Sequence, residues 1–158
     1  MEKIASAIVF SFLFVLLSAC NDMKKIEPEK YFTGPQLVLA KAIQAADREA
    51  ILHLAKNTDL NSPGAEELTL LFFAMNESFY NNNPPERLQI ITDLVRAGAD
   101  PLQPQMNMPG SPAEITAKAD KDIWLKAMLD GGLDPNARDK VYHEALIFSA
   151  IKSTNNSP

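Results

Sequence analysis

Ala97-Gly98-Ala99-Asp100-Pro101 closes an apolar run over residues 88–95, and Gly131-Gly132-Leu133-Asp134-Pro135-Asn136 closes the next one. The two aspartates stand 34 residues apart. A fainter version, Asn57-Thr58-Asp59-Leu60-Asn61, closes the run before them, with Asp59 lying 41 residues ahead of Asp100. Each string reads as a helix exit. A glycine just past a helix adopts the left-handed conformation that lets the last carbonyls be capped. Asp and Pro then open a turn and stop the helix from resuming. Repetition near this length is the mark of a helical-hairpin solenoid, with one helical pair per unit. Gly98, Asp100, Gly132 and Asp134 are therefore assigned structural turn roles.

Working outward from the exits, three units and a remnant can be drawn. The first begins at Gly34-Pro35, where proline suits a helix's first turn. Leu37, Leu39, Ala40, Ile43 and Ala46 recur at helical spacing, and after a turn near Asp47 so do Ala50, Ile51, Leu54 and Ala55. The second runs from Gly64 to Pro101. Its first helix, with Leu68, Leu70, Leu71, Phe72, Phe73 and Met75, is apolar on nearly all faces, as a helix in the middle of a stack should be. Ser78-Phe79-Tyr80-Asn81-Asn82-Asn83-Pro84-Pro85 reads as a long connection to its second helix, and accounts for the wider first spacing. The third unit opens at Gly110-Ser111-Pro112-Ala113 and ends at the paired glycines. Ala145-Leu146-Ile147-Phe148 begins one more helix, a partial C-terminal cap for the stack.

The N-terminus carries a different signal. An apolar run over residues 4–17 follows Lys3 and is too short for a membrane span of about 20 residues. It has the shape of a secretory signal peptide. It ends in Leu17-Ser18-Ala19-Cys20, which resembles a bacterial lipobox. That resemblance implies cleavage before Cys20 and lipidation of the cysteine; Asn21 at the next position implies sorting to the outer membrane, facing the periplasm. An ordinary signal peptide that happens to contain a cysteine is the alternative. The expected layout is a signal peptide over residues 1–19, a polar lipidated tether over 20–33, the repeat domain over 34–152 and a frayed tail over 153–158.

With 158 residues, 46% of them hydrophobic and 22% charged, the chain suits one small globular domain. A net charge of −5 lacks the basic footprint that nucleic acid requires. The single cysteine excludes an internal disulfide and a cysteine-rich metal site. His53 and His143 have no metal-ligand or nucleophile pattern around them, and no serine elbow, phosphate loop or zinc-binding helix occurs. Asp100 and Asp134 are expected to bond to their own turns rather than act as a carboxylate pair. Trp124, on the apolar side of a helix, reads as a packing residue. No catalysis, cofactor or metal is expected.

On these residues the chain resembles the ankyrin-repeat family. Leu94-Val95-Arg96-Ala97-Gly98-Ala99-Asp100-Pro101 and Met128-Leu129-Asp130-Gly131-Gly132-Leu133-Asp134-Pro135-Asn136 are similar to its Leu-Leu-x-x-Gly-Ala-Asp-x-Asn exit. Gly110-Ser111-Pro112-Ala113 stands where the family has Gly-x-Thr-Pro-Leu-His, though no unit has that motif in full. The resemblance implies an all-α solenoid of about three repeats plus the partial cap, and a protein-binding surface made of turn tips and adjacent helices.

Two stretches have the composition of contact loops. Tyr80 beside Asn81, Asn82 and Asn83 supplies an aromatic anchor and adaptable amides. Gln103, Gln105, Met106, Asn107 and Met108 form a turn tip with pliable methionines. Arg138-Asp139-Lys140, at the next tip, reads as a solvated charge run. The layout as a whole resembles lipid-anchored ankyrin-type immunity proteins that neutralise lipase or phospholipase toxins delivered by type VI secretion. That likeness implies a secreted lipase as partner and occlusion as the mechanism. A periplasmic scaffold or accessory lipoprotein, supporting an envelope enzyme or stress defence, is the alternative.

Overall fold

The computed structural model describes residues 25–104, 110–119, 122–140 and 143–146. Cys20 and the apolar run before it, Gln105, Met106, Asn107 and Met108, and the chain beyond Leu146 lie outside the described residues. The described part is all-α: α1 (Gly34–Ala45), α2 (Arg48–Leu54), α3 (Leu70–Tyr80), α4 (Pro85–Arg96), α5 (Pro112–Ala117) and α6 (Ile123–Asp130). Its only β pairing is an isolated antiparallel bridge between Arg138 and Ala145.

Local chemistry sets the helix ends. Asp47 accepts from the Ala50 amide at 3.1 Å, Thr69 from Phe72 at 3.3 Å and Ser111 from Glu114 at 3.2 Å, so three helices open on a side-chain cap. Thr69 fills at α3 the role that Ser111 fills at α5. Leu68, expected inside α3, instead lies before the cap on extended backbone. α2 ends without a glycine; it tightens into a 3-10 turn over Ala55–Asn57, and the Thr58 hydroxyl bonds the Leu54 carbonyl at 2.8 Å.

The helices pair as α1 with α2, α3 with α4 and α5 with α6. Between pairs, α1 packs on α3, α2 on α4 and α4 on α6. α3 is buried on most sides, through Leu70, Leu71, Phe73, Ala74 and Met75. Phe73, Leu39, Ile43, Ile51, Ile91 and Leu94 are at most 1% exposed and form the centre of one continuous core.

Polar bonds fasten the pairs together. Arg48 reaches from α2 to Asp93 on α4, with Nε 2.5 Å and Nη2 3.2 Å from the carboxylate oxygens. The Thr92 hydroxyl bonds the Ala127 carbonyl at 2.9 Å, and Arg96 Nη2 bonds Asp130 O at 3.0 Å, so α4 holds the last turn of α6.

Two further sequence expectations give way. The stretch expected as a tether is docked from Ile26 onward. Pro28–Lys30 forms a 3-10 turn with Pro28 buried, and Phe32 is 1% exposed with its ring edge-on to Phe73 at 5.7 Å. The physical reason is that one fully buried phenylalanine contributes about 2 kcal/mol, enough to hold a short polar segment against the core. The connection after α3 is also shorter than expected. Ser78, Phe79 and Tyr80 remain helical, and only residues 81–84 join α3 to α4, because Ser78 is fully buried against the body of the domain.

Candidate functional site

The exits after α4 and α6 have the same geometry. Gly98 has φ +109° and Gly132 φ +113°. The Gly98 and Ala99 amides bond the Val95 and Leu94 carbonyls, each at 3.0 Å; Gly132 and Leu133 bond Leu129 and Met128 in the same way, also at 3.0 Å. Both are Schellman caps. Beyond them, Asp100 Oδ1 accepts from the Leu102 amide at 2.9 Å and Asp134 Oδ1 from Asn136 at 2.8 Å. Asp59 does the same with Asn61 at 2.9 Å, and adds the Ser62 amide at 3.0 Å and hydroxyl at 2.5 Å. The Ser62 hydroxyl and the two amides hold the Asp59 carboxyl below its ordinary range. Each of the three aspartates is thus occupied by its own turn.

The exits also touch one another. Asn61 Nδ2 donates to the Gly98 carbonyl at 2.9 Å, and the Asp100 amide donates to Asn61 Oδ1 at 2.8 Å. Lys140 in turn bonds the Asp100 carboxylate. In the charge run at residues 138–140, Arg138 and Lys140 are exposed as expected, and Asp139 is the exception. Asp139 is 1% exposed, its amide bonds Glu144 O at 2.9 Å, and Arg138 bonds the His143 carbonyl at 3.0 Å. The turn folds back on itself and draws Asp139 in.

The Asn81-Asn82-Asn83 run caps α3. Asn82 and Asn83 have φ of 62° and 53°, a region that asparagine tolerates better than most residues, and their amides bond Phe79 O at 3.1 Å and Ser78 O at 2.8 Å. Asn81 Nδ2 bonds Glu77 O at 2.7 Å, and the Ser78 hydroxyl bonds Asn83 Oδ1 at 3.1 Å. Beside this cap stands an aromatic group. Phe79, 45% exposed, lies edge-on to Tyr80 at 5.9 Å and tilted against Trp124 of α6 at 6.2 Å. The Trp124 indole N–H and the Asn76 amide nitrogen are buried and have no acceptor among the described residues. Trp124 is half-buried, so its ring serves both the packing and the surface.

A buried charge lies behind the same connection. Glu77 is the one charged residue of α3, and it is 1% exposed. Arg87 Nη1 comes within 3.7 Å of its carboxylate, while Nη1 and Nη2 donate to Ile43 O at 2.9 Å and Gln44 O at 2.8 Å. One guanidinium thus balances Glu77 and satisfies the last carbonyls of α1. A charge in the middle of an apolar helix is the sequence signal for this pair.

Gln103 is half-buried just past the Asp100 turn, its amide 3.3 Å from Asp100 O. His53 and His143 are exposed. Among the described residues no group of three potential ligands is placed to hold a metal ion, and no helix is long and apolar enough to cross a membrane. A shallow hollow of about 430 Å³ over α2 is lined by Asp47, Glu49, Ala50, His53 and Leu54. No protein-family model matches the chain, and no characterised protein matches it at a significant level.

Proposed function

We propose that this chain is a lipid-anchored, ankyrin-type binding module that meets a protein partner through the aromatic surface of Phe79, Tyr80 and Trp124. The observation that carries the reading is this surface. A large ring, 45% exposed, stands half in water on a helical scaffold, flanked by Tyr80 and Trp124. Aromatic side chains on rigid elements make strong anchors because they bury much area at little entropic cost. A partner inserting an apolar side chain here would cover the exposed part of the Phe79 ring.

The ankyrin-type reading is supported by the 34-residue spacing of Asp100 and Asp134, by the matched caps, and by Asn61 tying one exit to the next. Lipidation at Cys20, anchorage on the periplasmic face of the outer membrane and the absence of a catalytic role rest on the sequence. The same holds for the sharper assignment: an immunity protein that covers the mouth of a secreted lipase or phospholipase toxin. The acidic balance of the chain would speed encounter with a basic toxin face. Fold alone never fixes such a role.

The test is capture with tagged residues 21–158 from the native strain, followed by assay of the captured protein. Recovery of a secreted lipase whose activity falls in proportion to added protein supports the immunity role. Phe79→Ala should abolish that inhibition with the helical circular dichroism retained, at a small cost in melting temperature from the lost contact with Trp124. A resident envelope protein recovered in its place would move the assignment to a periplasmic scaffold.

A further inference from the structure

The docked N-terminal segment decides which end of the protein a lipid anchor holds. Ile26 O accepts from Gln44 Nε2 at 3.4 Å, Tyr31 O accepts from the Ala65 amide at 2.8 Å, and Phe32 is buried against Phe73. Gly64 passes so close to Tyr31 that an added Cβ would lie 2.2 Å from its carbonyl oxygen. From Ile26 on, this segment is part of the body. Only residues 21–25 separate Cys20 from it, and a chain of that length spans roughly 20 Å at full extension. A body tied that closely cannot tumble freely above a bilayer.

Two more features mark the same end. Val38 on α1 and Leu52 on α2 are 53% and 44% exposed, two of the four large hydrophobic side chains that reach solvent among the described residues. Charge is also divided along the chain. Residues 25–57 carry five cations against four anions, whereas residues 58–158 carry eight against fourteen. With Arg48 neutralised by Asp93 of α4, the first hairpin is close to neutral beside an anionic phospholipid surface, whereas the remainder is repelled. Two of those five cations, Lys25 and Lys30, line a hollow of about 340 Å³ with Ile26, Glu27 and Tyr31, where Lys30 pairs with Glu27 at 2.9 Å.

We infer that the α1–α2 hairpin, with the 26–32 segment folded onto it, is the face laid against the phospholipid surface, and that the later hairpins project away from it. The inference rests on the lipid-anchor reading of Cys20. It gives the short spacer a purpose: it orients the body rather than merely retaining it.

Cys20 is the only cysteine and would be blocked by lipid, so an introduced cysteine can be labelled uniquely. Full-length Val38→Cys, Leu52→Cys and Asn136→Cys proteins are extracted, labelled with an environment-sensitive fluorophore and reconstituted into vesicles of phosphatidylethanolamine and phosphatidylglycerol. The vesicles contain headgroup-nitroxide lipid as quencher. The expected result is loss of most emission at positions 38 and 52 and its retention at 136. A Gly-Ser spacer of about a dozen residues inserted after Asn21 should restore emission at 38. Equal quenching at 38 and 136, with the acyl mass present on the intact protein, overturns the orientation alone. An intact mass without acyl groups overturns the lipid-anchor reading, and the orientation with it.

Discussion

Asn61 holds the backbone of Asp100 through both ends of its side-chain amide, giving to the Gly98 carbonyl and accepting the Asp100 N–H. The two residues are 39 positions apart, and each follows a different helical pair. Removing the amide leaves a capped turn with one donor and one acceptor returned to water. Because the site is solvent-exposed, Asn61→Ala should cost about 1 kcal/mol in urea unfolding. The Asp100 amide should also exchange its hydrogen faster while amides in α3 keep their protection. Unchanged exchange at Asp100 would mean the bridge does not form in solution.

Gly131 and Gly132 are adjacent but resist substitution for different reasons. Gly132 and Gly98 have positive φ and nothing within 4 Å of an added Cβ, so only backbone strain opposes alanine there, about 1 kcal/mol. At Gly131 the new atom would meet the Thr92 carbonyl at 2.8 Å and Val95 Cβ at 2.7 Å. α6 would have to move off α4, breaking the Thr92–Ala127 bond. Gly131→Ala should therefore cost about 1–3 kcal/mol, more than Gly98→Ala. Ala97, which stands at the equivalent place one unit earlier, shows that the cap itself needs no glycine there. Equal melting temperatures for the two variants would remove the argument from close packing.

Arg87→Leu should be among the most damaging single changes outside the apolar core. It leaves the Glu77 carboxylate buried without its cation and strips two hydrogen bonds from the end of α1. Losses of about 3–5 kcal/mol are typical when one partner of a buried pair is removed. Adding Glu77→Leu to the Arg87→Leu protein should recover part of the loss, because the stranded charge is gone while the uncapped carbonyls remain. A double variant no better than Arg87→Leu in urea unfolding would show that capping, not charge balance, carries the effect.

The helices and their stops were legible because they depend on local chemistry. Ser111, Asp47 and the glycine exits act within a few residues of themselves, and apolar periodicity marks each buried face. What was hidden depends on contacts distant in sequence. The 26–32 segment is polar enough to read as a tether, and only the pocket beside Phe73 makes Phe32 a core residue. The Asn81-Asn82-Asn83 run has the composition of a recognition loop, yet its amides complete a helix end. Asp139 looked like one of three solvated charges until the turn to Ala145 drew it in. The aromatic surface was half visible: Tyr80 stands out in the sequence, but nothing local brings Phe79 against Trp124, 45 residues away.

Asp59 gives a pH signature to the first exit. Its carboxylate accepts from the Ser62 hydroxyl and from the Asn61 and Ser62 amides, and its pKa is lowered from the ordinary value. A depressed carboxylate in the folded state contributes stability that is fully present above the unfolded pKa and lost as pH falls through the folded one. Glu29, lowered chiefly by its hydrogen bond from Lys41, acts in the same window, whereas Arg48, Lys30 and Lys126 are shifted upward and titrate far above it. Acidification below about pH 4 should therefore weaken the fold in a way to which Asp59 contributes. Asn in its place keeps an acceptor for the two amides but never ionises. The stability gap between the wild type and Asp59→Asn should narrow from neutral pH to acid, as followed by urea unfolding at fixed ionic strength. A gap that stays constant across that range would mean that the charge on Asp59 is not what the turn uses.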